Sequence, residues 1–234
     1  MKVLLVGQNA KNIEKLVSSS QLEITSSNPD TIITYGGDGT LLASERQYPG
    51  IPKLPIRDSL VCVKCSNHDE KELLKKLAGG KLKLKEYQKL ETTIFYQTLY
   101  ALNDFVVRNV KPIHTIRFKV SPLGEKLLIG DGIVVSTPFG STGYFKSITQ
   151  KTFDKGFGLA LNNTTEQFNP LFLKEGESIT CKLLRGAATL SFDNNPDIFN
   201  IDEGSELVFK LSDQTARIYE LESLRCPDCK IMRG

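Results

Sequence analysis

Histidine is scarce in this chain of 234 residues, with two copies, and basic residues outnumber acidic ones by only 30 to 27. The first scarcity argues against a histidine metal site or a Ser–His–Asp triad. His68 lies in a helix-capping segment, His114 lies just past Pro112, and neither has a second histidine near it. The second leaves a formal charge of +3, too small to argue for a nucleic-acid partner, because strong electrostatic binders carry a clustered basic face. The Lys-rich stretch from Lys71 to Lys89 is interleaved with Leu and Glu and reads as a solvated helix face and strand. No apolar run approaches the roughly 18 residues of a membrane span. The apolar start, Met1 to Gly7, is broken by Gln8 and Asn9 and reads as a buried strand, not a signal peptide. The expectation is a cytoplasmic protein with no membrane partner. Internal repeats and low-complexity linkers are also missing. What remains is ordinary globular composition, 40% apolar and 24% charged, at a length that suits one large domain or two small ones.

The first eighty or so residues alternate strand and helix signals. Lys2 to Val6 and Asp30 to Tyr35 are apolar or β-branched runs; Ala10 to Ser18 carries Ile13, Leu16 and Val17 at helical spacing. Leu41 to Gln47 suits a helix, and Pro52 and Pro55 interrupt a short extended segment. Ser66-Asn67-His68-Asp69 reads as a capping box before a helix with Leu73, Leu74 and Leu77 on one face, ended by Gly79-Gly80. Such alternation predicts an α/β layer with parallel strands. Beyond Gly80 the texture changes. Ile116, Phe118 and Val120 alternate with Arg117 and Lys119, a half-buried strand pattern. Turn signals recur at Pro122-Leu123-Gly124, Gly130-Asp131-Gly132, Glu175-Gly176, Arg185-Gly186 and Asp202-Glu203-Gly204, with strand-like runs such as Glu206 to Leu211 and Arg217 to Leu221. This half reads as all-β and mostly antiparallel. The expected division is an N-terminal α/β domain over residues 1–85, a β-rich domain over 86–225, and a tail over 226–234 that returns to the first domain.

Two motifs carry chemistry. Thr34-Tyr35-Gly36-Gly37-Asp38-Gly39-Thr40 stands between a strand and a helix. Its glycines allow close backbone approach and aim N–H groups at an anion, and the helix N-terminus adds positive potential. A carboxylate beside phosphates repels them unless it binds a metal or takes a proton from a nucleophile, so the loop reads as phosphoryl transfer with Asp38 as base or positioning group. The alternative is a tight turn with a helix-capping Asp. The spacing fits neither the dinucleotide fingerprint nor the P-loop. The second motif runs from Gly130-Asp131-Gly132 through Ser136-Thr137-Pro138 to Phe139-Gly140-Ser141-Thr142-Gly143-Tyr144. Its turn supplies hydroxyls and N–H groups, and Tyr144 could stack on a nucleobase; the bland reading is a strand, a bulge and an Asx-type turn.

Taken in order, the Gly-Gly-Asp-Gly-Thr loop, Asn103-Asp104 and the long second motif resemble the NAD kinase family, over a stretch that runs approximately from Asp30 to Asn195. The first loop is shared with lipid kinases of the diacylglycerol type and resembles one in phosphofructokinases; the second motif is particular to NAD kinases. The resemblance implies an N-terminal Rossmann-like domain and a β-rich, β-sandwich-like C-terminal domain. It implies transfer of the γ-phosphate of a nucleoside triphosphate to the 2′-hydroxyl of NAD, giving NADP, with Mg²⁺ or another divalent cation, in a homo-oligomer (dimer or tetramer). Asp38 corresponds to the catalytic Asp, with Gly36, Gly37, Gly39 and Thr40 as the phosphate loop. Asn103 and Asp104 correspond to residues that hold NAD, Asp104 standing where the family usually has Glu. Thr142, Gly143 and Tyr144 fall on an adenosine-contacting Thr-Ala-Tyr. Asp131 falls on an acid that can reach a neighbouring subunit's nucleotide, and Asp193 on a late acidic position. Phe139 replaces a small polar residue, and Pro52 to Arg57 replaces a Gly-rich turn. A lipid or sugar kinase sharing the first loop, and a catalytically silent nucleotide-binding regulator, are the rival readings; ATP and polyphosphate both remain open as donors.

Four of the five cysteines form two C-x-x-C pairs, Cys62/Cys65 and Cys226/Cys229, while Cys181 stands alone and reads as buried. Paired knuckle spacings suggest one structural zinc bound by four thiolates. Two unrelated pairs or redox-active dithiols are the alternatives. The family resemblance does not imply this site.

Overall fold

The computed structural model describes residues 1–58 and 69–219. The chain divides into two compact units, residues 88–215 forming one and residues 1–87 the other, joined there by the end of the last strand from Ala216.

In the first unit the elements run β1 (Lys2–Val6), α1 (Glu14–Ser19), β2 (Glu23–Ile24), β3 (Thr31–Tyr35), α2 (Asp38–Gln47), β4 (Lys53–Ile56) and α3 (Glu70–Ala78). The strands pair in parallel in the order β2-β1-β3-β4, and Ile218 of the returning strand lies beside Lys53. β3 is central, and all five of its residues are buried, the pattern of a parallel strand covered on both faces. Val3, Ile33, Leu54 and Ile56 meet Val17 of α1 and Leu73, Leu74 and Leu77 of α3 in one core. The coarse α/β expectation is therefore met.

Three local expectations are revised. α2 starts at Asp38, not Leu41, because Gly37 takes an extended N-cap conformation directly after the strand. The cap of α3 is Asp69, whose carboxylate accepts the Glu72 amide at 3.0 Å; the capping pattern is Asp69-x-x-Glu72, three residues beyond the expected one, and Ser66 itself lies outside the described residues. Pro55 sits inside β4, opposite Thr34. The missing amide is tolerated there because β4 meets its other neighbour only at Lys53. Lys53 is fully buried and pairs with buried Glu45 of α2, which ties the helix behind the glycine loop to the sheet.

The second unit contains β5 (Leu84–Ile94, from Gln88 onward), β6 (Gln97–Ala101), β7 (Asp104–Asn109), β8 (Ile116–Val120), β9 (Leu128–Gly130), β10 (Gly132–Ser136), α4 (Tyr144–Thr149), β11 (Phe157–Asn162), β12 (Leu171–Leu173), β13 (Ser178–Arg185), β14 (Ala188–Phe192), β15 (Phe199–Ile201) and β16 (Glu206–Tyr219, up to Thr215). One sheet has the order β12-β11-β10-β7-β14-β15, antiparallel at every pairing. A second group pairs β16 with β13, β13 with β8 and β8 with β9, again antiparallel. Phe105, Val107, Ile133 and Leu159 from the first sheet and Phe118, Ile179 and Phe209 from the second share one core. The two strand runs expected at Glu206–Leu211 and Arg217–Leu221 belong to the single strand β16 through Tyr219. Cys181 is buried, as its sequence neighbourhood suggested. Lys89 departs from the solvated reading of its stretch: it is only 4% exposed. Among the described residues no helix is long and apolar enough to cross a membrane.

Candidate functional site

The glycine loop sits where the parallel strands of the first unit end, the usual ligand position in such sheets. Gly36 donates its amide to Ile56 O at 2.9 Å, so the turn is pinned to the end of β4. A Cβ on Gly36 would lie 2.3 Å from Thr40 Oγ1, so any side chain there would displace the Thr40 hydroxyl. Gly37 is different. Its φ is −100°, open to any residue, and nothing lies within 4 Å of where its Cβ would be. Neither backbone strain nor internal packing demands a glycine there, and the loop backbone is left open at that position. Gly39 is exposed and Thr40 partly so, and Asp38 is the first residue of α2. The loop thus offers the start of a ten-residue helix, with its N–H groups and positive end, and one carboxylate. Beside it, Asn9 donates to Asp58 at 2.8 Å, and the Tyr35 hydroxyl donates to Glu70 at 3.1 Å. Burial, then Glu70 and Asp58, push the Tyr35 hydroxyl up to about 12, so it remains a donor. Asn9 and Asp58 were not singled out from sequence, since no spacing connects them.

In the second unit, Asp104 opens β7, and the link between β6 and β7 carries Leu102 and Asn103. Its peptide groups are gripped from two sides. The Asp193 carboxylate accepts the amides of Leu102 at 2.6 Å, Asn103 at 2.7 Å and Asp104 at 3.4 Å. Opposite, Thr137 Oγ1 donates to Leu102 O at 2.5 Å, the Thr137 amide donates to Asn103 O at 2.9 Å, and Ser136 Oγ donates to the same carbonyl at 3.2 Å. The Gly140 amide donates to Thr137 Oγ1 at 3.0 Å, and a Cβ on Gly140 would lie 2.2 Å from Asn103 O. So Ser136, Thr137 and Gly140, quoted in the second motif but assigned no role, build the floor under Asn103-Asp104. On that floor Asn103 Oδ1 is buried and has no hydrogen-bond partner. Asp104 is raised from 3.8 to about 7, first by burial and then by the Asp193 charge. Asp193 is itself raised to about 6 by burial, against the pull of the three amides and of Lys89, so buried Lys89 lies close enough to favour its charge.

Tyr144 opens α4, half-buried against Phe145, Val134 and Ala160, and its hydroxyl accepts from Asn162 Nδ2 at 3.0 Å. Thr142 and Gly143 are exposed just before it. Phe139 is buried, 4% exposed, and so fills the turn. Asp131, between β9 and β10, accepts from Asn109 Nδ2 and Asn163 Nδ2, each at 3.0 Å. The structure therefore gathers Asn103, Asp104 and Asp193 into one cluster and anchors Asp131 and Tyr144 to separate partners, while Asp38 belongs to the first unit. Cys62, Cys65, Cys226 and Cys229 lie outside the described residues. Among the described residues no group of three or more His, Cys, Asp or Glu could hold a metal ion.

No family model matches the chain. The NAD kinase of Sulfurisphaera tokodaii is 27% identical over 229 residues, covering 92% of this chain and 90% of that protein. Two solved structures share the fold. An NAD kinase from Archaeoglobus fulgidus in complex with ATP matches at TM-score 0.78 and 20% identity, covering 97% of each chain. Yeast NADH kinase complexed with NADH matches at TM-score 0.80 and 15% identity, covering 97% of this chain and 87% of that one.

Proposed function

We propose that the chain is a member of the NAD kinase family, a reading supported by its similarity to the Sulfurisphaera tokodaii NAD kinase over 92% of this chain and by the shared fold, and that it transfers the γ-phosphate of a nucleoside triphosphate to the 2′-hydroxyl of NAD. The observation that carries the reading is Asn103 Oδ1, a buried acceptor with no partner, beside the half-buried acid Asp104. A buried unpaired acceptor is costly, so this site favours a ligand that brings donors. Adenosine brings two kinds: an exocyclic amine for the Asn103 oxygen and a ribose diol for the Asp104 carboxylate. The glycine loop would hold the triphosphate on its N–H groups, and Asp38 would orient or deprotonate the acceptor hydroxyl. The divalent cation belongs to the substrate, carried on the phosphates. Mg²⁺ needs at most one or two carboxylates from a protein in such sites, and Asp38 is the donor the loop offers. The Rossmann-like description of the first unit and the β-sandwich-like description of the second belong to the same proposal, supported by the parallel strands with their helices and by the shared core of the antiparallel sheets.

A coupled assay for NADP formation, run with ATP and with polyphosphate, tests the reading. NADP formed with either donor supports it and assigns that donor; purified, folded protein that makes none with both would end it. Tyr144→Ala should weaken NAD binding by roughly 1–2 kcal/mol, the contribution of one aromatic contact, and calorimetry showing unchanged affinity would remove Tyr144 from the site. The two C-x-x-C pairs are proposed to share one structural zinc. Metal analysis should then find about one zinc per chain, and Cys226→Ser should lower both zinc content and melting temperature; metal-free protein of normal stability counts against it. A homo-oligomer and a cytoplasmic location complete the proposal, the first being open to light scattering.

A further inference from the structure

Asp193 is 7% exposed and follows β14 in a left-handed turn, with φ +47° at Asp193 and +52° at Asn194. The turn is closed by the Asn195 amide donating to Phe192 O at 2.7 Å. Its neighbour Phe192 lies opposite Phe105 in the antiparallel pairing of β14 with β7. This register puts the carboxylate directly against the start of β7, where its oxygens take the amides of Leu102, Asn103 and Asp104. Two of these bonds are short, and a carboxylate that accepts several amides is a strong, geometrically strict acceptor. The opposite edge of the same peptides is taken by Thr137 and Ser136. The Leu102–Asp104 backbone is thus held on its donor side by one residue and on its acceptor side by the Ser-Thr step of the long motif.

We infer that Asp193 is a positioning residue for the dinucleotide: it fixes the Leu102–Asp104 backbone against Thr137, so that Asn103 and Asp104 present their side chains in one geometry. This rests on the proposed NAD site. It assigns Asp193 a different task from ligand contact, because its oxygens are already taken up by three backbone amides. It also explains why Asn103-Asp104, Ser136-Thr137 and Asp193, far apart in sequence, belong to a single device: they are one peptide segment and its two jaws. Lys89, buried beside the acid, favours its charged form. Asparagine at position 193 keeps the shape but puts an NH₂ group where an amide donor now points, so one jaw opens without emptying the site.

The test is a non-additivity experiment in the full chain, with NAD affinity read by calorimetry and KM for NAD and for ATP read by NADP formation. Asp193→Asn should raise Kd and KM for NAD about 10–100-fold, the scale of a displaced recognition group, while KM for ATP and the turnover number stay within a few-fold. In an Asn103→Ala/Asp104→Ala background the same substitution should add nothing further, because the groups it positions are gone. Thr137→Val, which removes one of the opposite jaw's two hydroxyls and with it the acceptor of the Gly140 amide, should reproduce the NAD-specific loss, and Thr137→Ser should restore affinity. Three results would overturn the inference. Additive losses in the double-variant background would mean direct ligand contact. Unchanged NAD affinity in folded Asp193→Asn would mean no role at all. Equal loss of every parameter in both Asp193→Asn and Thr137→Val would mean a folding role only. If the wild-type protein binds no NAD, the functional reading itself fails, an outcome separate from all three.

Discussion

Replacing Asp38 by asparagine is expected to lower turnover about 10²–10⁴-fold, the usual scale of a positioned acid–base group, with melting temperature and NAD affinity nearly unchanged. The fold permits such a clean loss. Asp38 is the first residue of α2 and only partly buried, outside the apolar core of its unit. The turn around it is maintained by main-chain bonds, the amides of Thr40 and Leu41 both reaching Gly37 O at 3.1 and 3.3 Å, and Gly36 is pinned to Ile56. None of these uses the Asp38 carboxylate. Asparagine keeps a polar side chain of the same shape at the helix start and gives up the charge that favours the helix N-terminus. What disappears is the ability to take a proton from an acceptor hydroxyl. Steady-state NADP formation, beside a thermal melt of the same sample, measures both quantities. Wild-type turnover in folded Asp38→Asn protein would remove Asp38 from the chemistry. A fall in NAD affinity equal to the fall in turnover would reassign it to binding.

The layout of this protein was legible where the chemistry is local. β3 and the glycine loop announce themselves because a β-branched run followed by Gly-Gly can hardly be anything but a buried strand and a turn. Asn103, Asp104 and Asp193 stand out in the sequence through their resemblance to a family pattern, and the structure joins them through hydrogen bonds that span about ninety residues of chain. No periodicity encodes that. Thr137 was visible as a Ser-Thr-Pro step, but its work is done on main-chain carbonyls, and a hydroxyl that bonds backbone leaves no spacing rule behind. The same holds for Lys89 and Lys53. Lys89 is buried inside a stretch whose composition reads as solvated and Lys53 inside a short extended segment, since burial of a cation depends on a partner acid that tertiary packing supplies. The cap of α3, at Asp69 and not Ser66, shows the opposite limit: several Asp and Ser residues compete as caps in sequence, and only the direction of the incoming chain selects one.

Asp104 is where binding and stability should pull apart. In the folded protein its carboxyl is raised from 3.8 to about 7 by burial and by the neighbouring Asp193. The folded state therefore holds a proton there that the unfolded chain releases near pH 4. Stability from this group is fully present below its unfolded value and is lost as pH rises through about 7. Above that pH the protein carries an ionised acid beside another one, at a cost on the order of 2–4 kcal/mol if the group is fully shielded, and less to the degree that water reaches its partly exposed edge. Asp104→Asn removes the charge and keeps the shape. The variant should therefore melt higher than wild type at pH 8, and the gain should shrink markedly at pH 5, where wild-type Asp104 is already neutral. Its NAD affinity should move the other way, falling about 10–100-fold as a charged acceptor facing the ribose diol becomes a neutral one. Wild-type affinity for NAD should itself rise as pH passes upward through 7, and the variant's should stay flat. Melts at the two pH values and calorimetry across them test each part separately. A stability gain equal at pH 5 and pH 8 would show that the charge of Asp104 is compensated in the fold. Unchanged NAD affinity would show that this acid guards structure alone, and that the diol is held elsewhere.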